Sequence, residues 1–149
     1  MPRSSPARSP APTRRRKSPS EIAPGVFVGG WSDAVEFAGR RYCVLDERPD
    51  GELPADEQLA IYDEKADAPI LPNLERVSGW VEAARKAGEP VLLFCGHGVR
   101  RSPLAGAWYL HRHDRIPLSE AYARIREVRP RVEEAREWIG HWQSLESNP

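Results

Sequence analysis

The chain has 149 residues, and its 22 lysine and arginine side chains are balanced by 22 aspartate and glutamate side chains. This length is typical of one domain with a single hydrophobic core. No apolar run approaches the ~20 residues of a membrane-spanning helix, and the N-terminus lacks the apolar core of a secretory signal peptide. Two cysteines, Cys43 and Cys95, are too few for a disulfide framework or a zinc site. We therefore expect a cytoplasmic protein without a metal.

Residues 1–20 differ in composition from the rest of the chain. They contain six basic residues, no acidic residue and five prolines, which leaves 16 basic and 22 acidic side chains in the remainder. Such a segment has little apolar surface to bury, so it predicts a disordered tail before a domain at residues 21–149. The basic run at 14–17 is compatible with a solvated extension, and also with contact to an anionic partner such as RNA, a membrane or an acidic protein.

The first half of the domain predicts three strands, at residues 26–28, 41–46 and 59–62. Glycines end the first strand, and a short helix then starts near Trp31 with Ser32 as its N-cap. Cys43 lies in the second strand, where we expect it in the core.

The second half predicts a helix from Pro72 to Gly88, followed by a strand at residues 91–94 whose four residues are all apolar. The helix has one apolar stripe, made of Leu74, Val77, Trp80, Val81 and Ala84. A strand-helix-strand unit of this kind is parallel and right-handed, so the ends of its strands share one edge of the sheet. Asp63 and Cys95, which follow the third and fourth strands, are therefore expected side by side.

The C-terminal part predicts two more helices. The first is capped by Ser119, ends at Arg129-Pro130, and turns inward a stripe formed by Ala121, Tyr122, Ile125 and Val128. The second carries a stripe between residues 132 and 145. His111 and His113 are two residues apart on a helix, so they face different sides and do not predict a metal pair.

The segment between Cys95 and Ser102 has the composition of an anion-binding loop. A helix follows it, with Ser102 as N-cap and Pro103 at the first helical position. A helix N-terminus offers unpaired N–H groups and partial positive charge, while Gly96 and Gly98 let the backbone approach a ligand closely. Arg101 adds a planar fork suited to two phosphate oxygens.

Cys95 lies in the same positive field, which favours the thiolate. Such surroundings lower a thiol pKa from about 8.5 towards ~4–7 and make it a nucleophile at neutral pH. The Ser102 hydroxyl is close enough in sequence to support the sulfur. A buried structural cysteine is the alternative, but it leaves the glycines and the paired arginines unexplained.

This Cys-x5-Arg-Ser loop between a strand and a helix resembles the signature loop of the cysteine-dependent protein tyrosine phosphatase superfamily. Gly98 and Ser102 are most similar to its dual-specificity branch. The resemblance implies an α/β fold, with a central mixed, largely parallel sheet of four or five strands flanked by helices. One residue departs from the family pattern, because Phe94 stands where these phosphatases usually carry histidine. The phosphate-binding residues that the resemblance implies are Gly96, His97, Gly98, Val99, Arg100 and Arg101.

The resemblance also implies a mechanism: metal-independent and cofactor-free hydrolysis of a phosphate monoester through a cysteinyl phosphate, with Cys95 as nucleophile. Asp63, 32 residues before the cysteine, matches the family's general acid best, with Glu64 and Asp67 as competitors. In some relatives an oxidised nucleophile pairs with a cysteine from the region of Cys43.

A phosphorylated protein is the substrate that the resemblance favours. Phosphoinositides, RNA 5′-phosphates and small phosphate esters stay open, and Arg100 beside Arg101 favours a highly charged one. The rivals are a phosphate-binding pseudophosphatase weakened by Phe94, and rhodanese-type sulfur transfer, whose loops usually have one residue fewer. The sequence does not indicate the oligomeric state.

Overall fold

A computed structural model describes residues 18–45, 55–66 and 68–134. In chain order the elements are β1 (Ser20–Ala23), β2 (Val26–Gly29), α1 (Trp31–Glu36), β3 (Arg40–Cys43), β4 (Glu57–Gln58), β5 (Tyr62–Asp63), β6 (Ala68–Pro69), α2 (Leu71–Lys86), β7 (Val91–Phe94), α3 (Arg101–His113) and α4 (Leu118–Val128).

The central sheet has five strands in the order β1-β2-β7-β3-β4. Strand β1 is antiparallel to β2, whereas β7 lies parallel between β2 and β3, and β4 is parallel to β3. The expected α/β fold with a mixed, largely parallel sheet is therefore confirmed. All four residues of β7 are buried, as a central strand covered on both faces requires.

The two faces of β7 belong to different core clusters. Val91 and Leu93 join the larger cluster, which also takes apolar residues from α2, α3 and α4. Leu92 and Phe94 join a smaller cluster with Ala34 of α1 and Cys43 of β3. Because side chains alternate along a strand, three helices cover one face of the sheet and α1 covers the other.

The predicted third strand, at residues 59–62, is wrong in its bounds and in its place in the central sheet. The strand that pairs with β3 is β4, at Glu57–Gln58, and β5 pairs with β6 in a separate two-stranded antiparallel sheet. Ile61 and Tyr62 are buried, so the apolar run does enter the core. A short apolar run specifies burial but not its pairing partner.

The three predicted serine caps are also wrong, because each helix begins before its serine, at Trp31, Arg101 and Leu118. In α1 the capping oxygen comes from Asp33, whose Oδ2 accepts a 2.8 Å hydrogen bond from the Gly30 N–H.

Other predictions have mixed outcomes. The predicted stripe of α2 is buried except for Trp80, which is partly exposed, and Val128 of α4 is 48% exposed rather than inward. Strand β1 was not predicted, and it begins at Ser20, the last residue of the predicted tail. Val132, the first residue of the last predicted stripe, is buried but not helical, and the rest of that stripe lies outside the described residues. The basic run at 14–17 also lies outside them. No helix in the described ranges is long and apolar enough to cross a membrane.

Candidate active site

The loop from Cys95 to Arg100 connects β7 to α3 and rests on the glycines that end β2. The Cys95 N–H donates to the Gly29 carbonyl over 3.3 Å, and the Trp31 N–H donates to the Gly96 carbonyl over 2.9 Å. Gly98 has φ +72°, and a Cβ there would lie 2.7 Å from the Gly29 carbonyl carbon. Glycine is therefore required at position 98, both for its backbone conformation and for the close approach of two chain segments.

The Cys95 sulfur lies at the N-terminus of α3 and is almost completely buried. The Ser102 N–H donates to Sγ over 3.3 Å, and the Ser102 Oγ lies 3.5 Å from Sγ. The same hydroxyl donates to the Gly29 carbonyl over 2.9 Å, which fixes its orientation. The Ser102 N–H and the N-terminus of α3 therefore both point at the sulfur.

The Arg101 guanidinium lies between an aromatic ring and a carboxylate. Its Nη2 is 3.0 Å from Glu64 Oε2, and its Cζ is 5.2 Å from the centre of the Tyr62 ring. Arg101 is largely buried, whereas Glu64 is mostly exposed. The Glu64 carboxylate therefore marks a position where Arg101 binds an anion, and a phosphate that takes this position displaces it.

The segment at residues 62–66, called the acid loop below, reaches the site without the predicted strand. Glu64 and Tyr62 contact Arg101. The Asp63 carboxylate closes its own turn, because Oδ1 accepts hydrogen bonds from the N–H groups of Lys65 and Ala66 over 3.0 and 3.3 Å. Asp67 lies outside the described residues.

A pocket of about 570 Å³ opens over the loop. An ion pair of 3.6 Å between Arg100 and Glu133 lies at this pocket, and Arg131 adds a third arginine to its wall. The lining residues are Leu45, Cys95, Gly96, His97, Val99, Arg100, Arg101, Arg131 and Glu133. This wall is rich in cationic groups, so it suits an anionic ligand.

Arg129 is a residue of the site that the sequence analysis did not identify. Its Nε donates to the Gly98 carbonyl over 2.8 Å, and its Nη2 lies 3.4 Å from the His97 carbonyl. Burial lowers the pKa of Arg129, and the nearby charges of Asp33 and Cys95 oppose that effect. Burial also disfavours the charged form of Asp33, which raises the pKa of its carboxyl. Position 129 was predicted only as a helix end, and no local pattern indicates a contact 31 residues away.

Phe94 and Cys43 lie on the opposite face of the sheet from the Cys95 side chain. Phe94 is completely buried and packs edge-to-face on Trp31, with 5.8 Å between ring centres. Cys43 belongs to the same small cluster, and neither cysteine forms a disulfide. A disulfide requires Cβ atoms about 3.5–4.5 Å apart that point towards each other. The geometry therefore does not support a Cys43–Cys95 disulfide.

The histidines of α3 contact protein groups. His111 Nδ1 is 2.7 Å from the Ile116 carbonyl, and His113 Nδ1 is 3.0 Å from a Glu82 carboxylate oxygen. Within the part of the chain that the structure describes, no cluster of histidine, cysteine and carboxylate side chains could hold a metal ion.

A cysteine at the end of a central strand, under a glycine-containing loop that ends in arginine at a helix N-terminus, defines the class of cysteine-dependent phosphatases. The family profile "Dual specificity phosphatase, catalytic domain" matches residues 50–147. The chain belongs to this family, and its enzyme class is that of the protein-tyrosine and dual-specificity phosphatases.

Individual relatives agree with this assignment. The chain is 30% identical over 134 residues to dual specificity phosphatase 28 of Homo sapiens, covering 84% of this chain and 74% of that protein. The crystal structure of human DUSP28 superposes with a TM-score of 0.71 at 26% identity, over 86% of this chain and 92% of that one. A mouse putative dual specificity phosphatase complexed with zinc tungstate superposes with a TM-score of 0.69 at 26% identity, over 95% and 91% of the two chains.

Proposed function

We propose that this protein hydrolyses phosphate monoesters through a cysteinyl-phosphate intermediate, with phosphorylated protein as substrate. The observation that carries the proposal is the environment of Cys95. The sulfur receives the Ser102 N–H over 3.3 Å at a helix N-terminus, in the same loop as Arg101. Nucleophile, anion cradle and guanidinium are thus held together by one strand-loop-helix unit.

In the first step the Cys95 thiolate attacks phosphorus, and the bond from phosphorus to the leaving oxygen breaks. The loop amides and Arg101 hold the non-bridging oxygens, where negative charge is concentrated. The leaving oxygen takes a proton from a carboxylic acid of the neighbouring loop. We assign this role to Asp63, with Glu64 and Asp67 as the alternatives.

In the second step water attacks phosphorus and the sulfur–phosphorus bond breaks, which releases inorganic phosphate. The carboxylate that gave up its proton takes one from the water. Sulfur departs as a thiolate, which the Ser102 N–H stabilises from 3.3 Å, and the Ser102 hydroxyl, 3.5 Å from sulfur, adds a second donor when it turns from the Gly29 carbonyl to the sulfur. All of these steps use protein side chains and backbone amides.

The wall of the pocket supports an anion-rich substrate. Arg100, Arg101 and Arg131 line it, and Glu133 is the carboxylate among its lining residues. The tungstate in the mouse relative is a tetrahedral oxyanion with the shape of phosphate, in keeping with such a site. Phosphoinositides and RNA 5′-phosphates have the same terminal group, and a basic tail at residues 1–20 suits contact with an anionic partner.

Phosphate recognition without turnover is the second candidate function. It is favoured by Phe94, because the buried ring offers no hydrogen-bond donor at the position before Cys95.

The test is hydrolysis of p-nitrophenyl phosphate between pH 5 and 8 with EDTA present. We expect turnover in the wild type, none in Cys95→Ser, and normal turnover in the matched control Cys43→Ala, whose thiol lies on the other face of the sheet. A wild type that binds vanadate without turnover would establish the recognition module instead. Turnover that persists in Cys95→Ser would refute the cysteinyl phosphate. The kcat/KM values for a phosphopeptide, a phosphoinositide and a 5′-phosphorylated RNA are then compared, and the highest value identifies the substrate class.

A further inference from the structure

We infer that Arg129 is a positioning residue of the phosphate loop, which orients the loop amides towards the substrate and adds positive charge near the Cys95 thiolate. Arg129 lies outside the pocket lining and takes part in none of the chemical steps above. The inference rests on the proposed function only for its effect on turnover. Its effect on the thiol is independent of that function.

The carbonyl groups of the loop are held by partners outside the loop. Four successive carbonyls have partners outside the loop: Gly96 with the Trp31 N–H, His97 and Gly98 with Arg129, and Val99 with the Glu133 N–H. In a trans peptide the C=O of one residue and the N–H of the next point in opposite directions. Holding these carbonyls therefore turns the N–H groups of residues 97–100 the other way, as an anion cradle requires.

Arg129 packs closely against Gly98. A Cβ at position 98 would lie 2.5 Å from Arg129 Nη2, in addition to its clash with Gly29. The Arg129 Nε bond to the Gly98 carbonyl, at 2.8 Å, is the shortest contact between the guanidinium and the loop. The planar fork thus spans two adjacent carbonyls, which the single ammonium of a lysine does not reproduce.

The Arg129 guanidinium is also held on the side that faces away from the loop. Its Nη1 donates to the Ser18 carbonyl over 3.1 Å and to the Ser20 Oγ over 3.0 Å, at the start of β1. An arginine bound at both ends loses little further conformational freedom when the loop binds an anion. The strand that the sequence analysis missed therefore helps to fix the loop.

Charged groups of both signs lie near Arg129. Asp33 of α1 and Cys95 attract it, whereas Arg131 repels it. Replacing Arg129 with a neutral residue therefore removes an opposite charge near Cys95. Arg101 pairs with Glu64 and Arg100 pairs with Glu133, so much of the charge of these two arginines is balanced locally.

The experiment compares Arg129→Met and Arg129→Lys with the control Arg124→Met, all in a Cys43→Ala background. Arg124 lies on α4, and its guanidinium bonds to Asp114 and Glu120. The rate of Cys95 alkylation by iodoacetamide, measured from pH 4 to 9, gives the thiol pKa directly. Steady-state hydrolysis gives kcat and KM separately.

For Arg129→Met we expect the thiol pKa to rise, as for loss of a nearby opposite charge, and kcat to fall about 10- to 100-fold. Arg129→Lys keeps the charge but loses the fork, so its thiol pKa stays near that of the wild type while kcat still falls. Arg124→Met changes neither quantity.

A wild-type thiol pKa and a kcat within twofold of wild type in Arg129→Met would overturn the inference. If Arg129→Met does not fold, Arg129→Lys decides, because full kcat in that variant rejects the positioning role. An inactive wild type whose thiol pKa still depends on Arg129 would reject the proposed phosphatase function and leave the inference standing.

Discussion

The phosphate loop at residues 95–101 and the acid loop at residues 62–66 meet at Arg101, yet they are held in different ways. In the phosphate loop, the Gly96 carbonyl and its next three neighbours bind backbone or arginine donors from other segments. The sulfur is almost completely buried, and the serine beside it bonds to Gly29. Several bonds from separate parts of the chain therefore determine this loop together.

The acid loop depends on fewer and more exposed contacts. Its two-residue strand pairs with β6, and Asp63 bonds within its own turn. Its hydrogen bond with the phosphate loop is one that Glu64, a mostly exposed side chain, accepts from Arg101. Exposed ion pairs contribute only about 0–1 kcal/mol. The loop proposed to hold the phosphate oxygens is thus fixed by several segments of the fold, while the loop proposed to deliver a proton is tied to the site only weakly.

Gly98→Ala tests the first half of this comparison, and it is expected to lower both stability and turnover. The new methyl group meets the Gly29 backbone and Arg129, at a position with φ +72°. Backbone strain of this kind costs about 1–3 kcal/mol. We expect a lower melting temperature and a fall in kcat/KM of at least about 100-fold, as for loss of a preorganised donor.

The matched control for that variant is Gly79→Ala in α2, where a Cβ would meet nothing within 4 Å. Alanine there is expected to stabilise the helix by about 1 kcal/mol without changing kcat/KM. Full activity in Gly98→Ala would mean that the loop is not preorganised.

Replacing the carboxylates of the acid loop one at a time tests its role. If Asp63 supplies the proton, Asp63→Asn lowers kcat for p-nitrophenyl phosphate about 10²- to 10⁴-fold. Glu64→Gln and Asp67→Asn are then near the wild type. The measurement is kcat as a function of pH for all three variants, with Cys95 alkylation as a check on the folded site. A loss confined to Glu64→Gln or Asp67→Asn would assign the acid to that residue instead.

Glu64→Gln is expected to have a smaller and opposite effect on anion binding. Phosphate competes with Glu64 for Arg101, because the carboxylate lies 3.0 Å from Nη2. Removing a pair worth about 0.5–1 kcal/mol tightens inhibition by inorganic phosphate about two- to fivefold. The control is Glu89→Gln, which breaks an exposed pair with Arg40 of 2.8 Å, far along the sheet from the loop. Unchanged or weaker inhibition in Glu64→Gln would show that the pair does not compete with phosphate.

The sequence predicted the part of the site that is continuous in the chain. An apolar strand, Cys95, two glycines, Arg101 and a helix follow one another, and such local order is enough to bring Ser102 to the sulfur. The mixed, largely parallel sheet was predicted from the resemblance to the phosphatase superfamily. Contacts across the chain were not predictable, since Arg129 reaches Gly98 over 31 residues and nothing beside Arg129 indicates it.

The errors have a common physical cause, which is competition between equivalent local choices. Ser32 and Asp33 could each supply a cap to α1, and the packed structure uses Asp33. The apolar residues near Ile61 are buried, as their composition predicts. A position beside β6 buries them as well as a position in the central sheet would. Local pattern sets the propensity of a segment, while its pairing depends on the rest of the fold.

Asp33 is shared by α1 and the surroundings of Arg129, and it gives the smallest predicted effect. Burial raises the pKa of its carboxyl above 3.8, and the Gly30 hydrogen bond and the Arg129 charge oppose that effect only in part. The native state therefore holds the proton more tightly than the unfolded chain does. This contribution to stability is fully present below the unfolded pKa and is lost as the pH rises through the native pKa.

Asp33→Asn keeps an acceptor for the Gly30 N–H but does not titrate. Urea unfolding between pH 4 and 7 should therefore show the wild type losing free energy of unfolding relative to Asp33→Asn as the pH rises. Asp56→Asn is the control, because Asp56 accepts a 2.8 Å bond from the Arg41 N–H at an exposed position. A wild type that gains stability over Asp33→Asn as the pH rises would mean that the attraction to Arg129 outweighs burial.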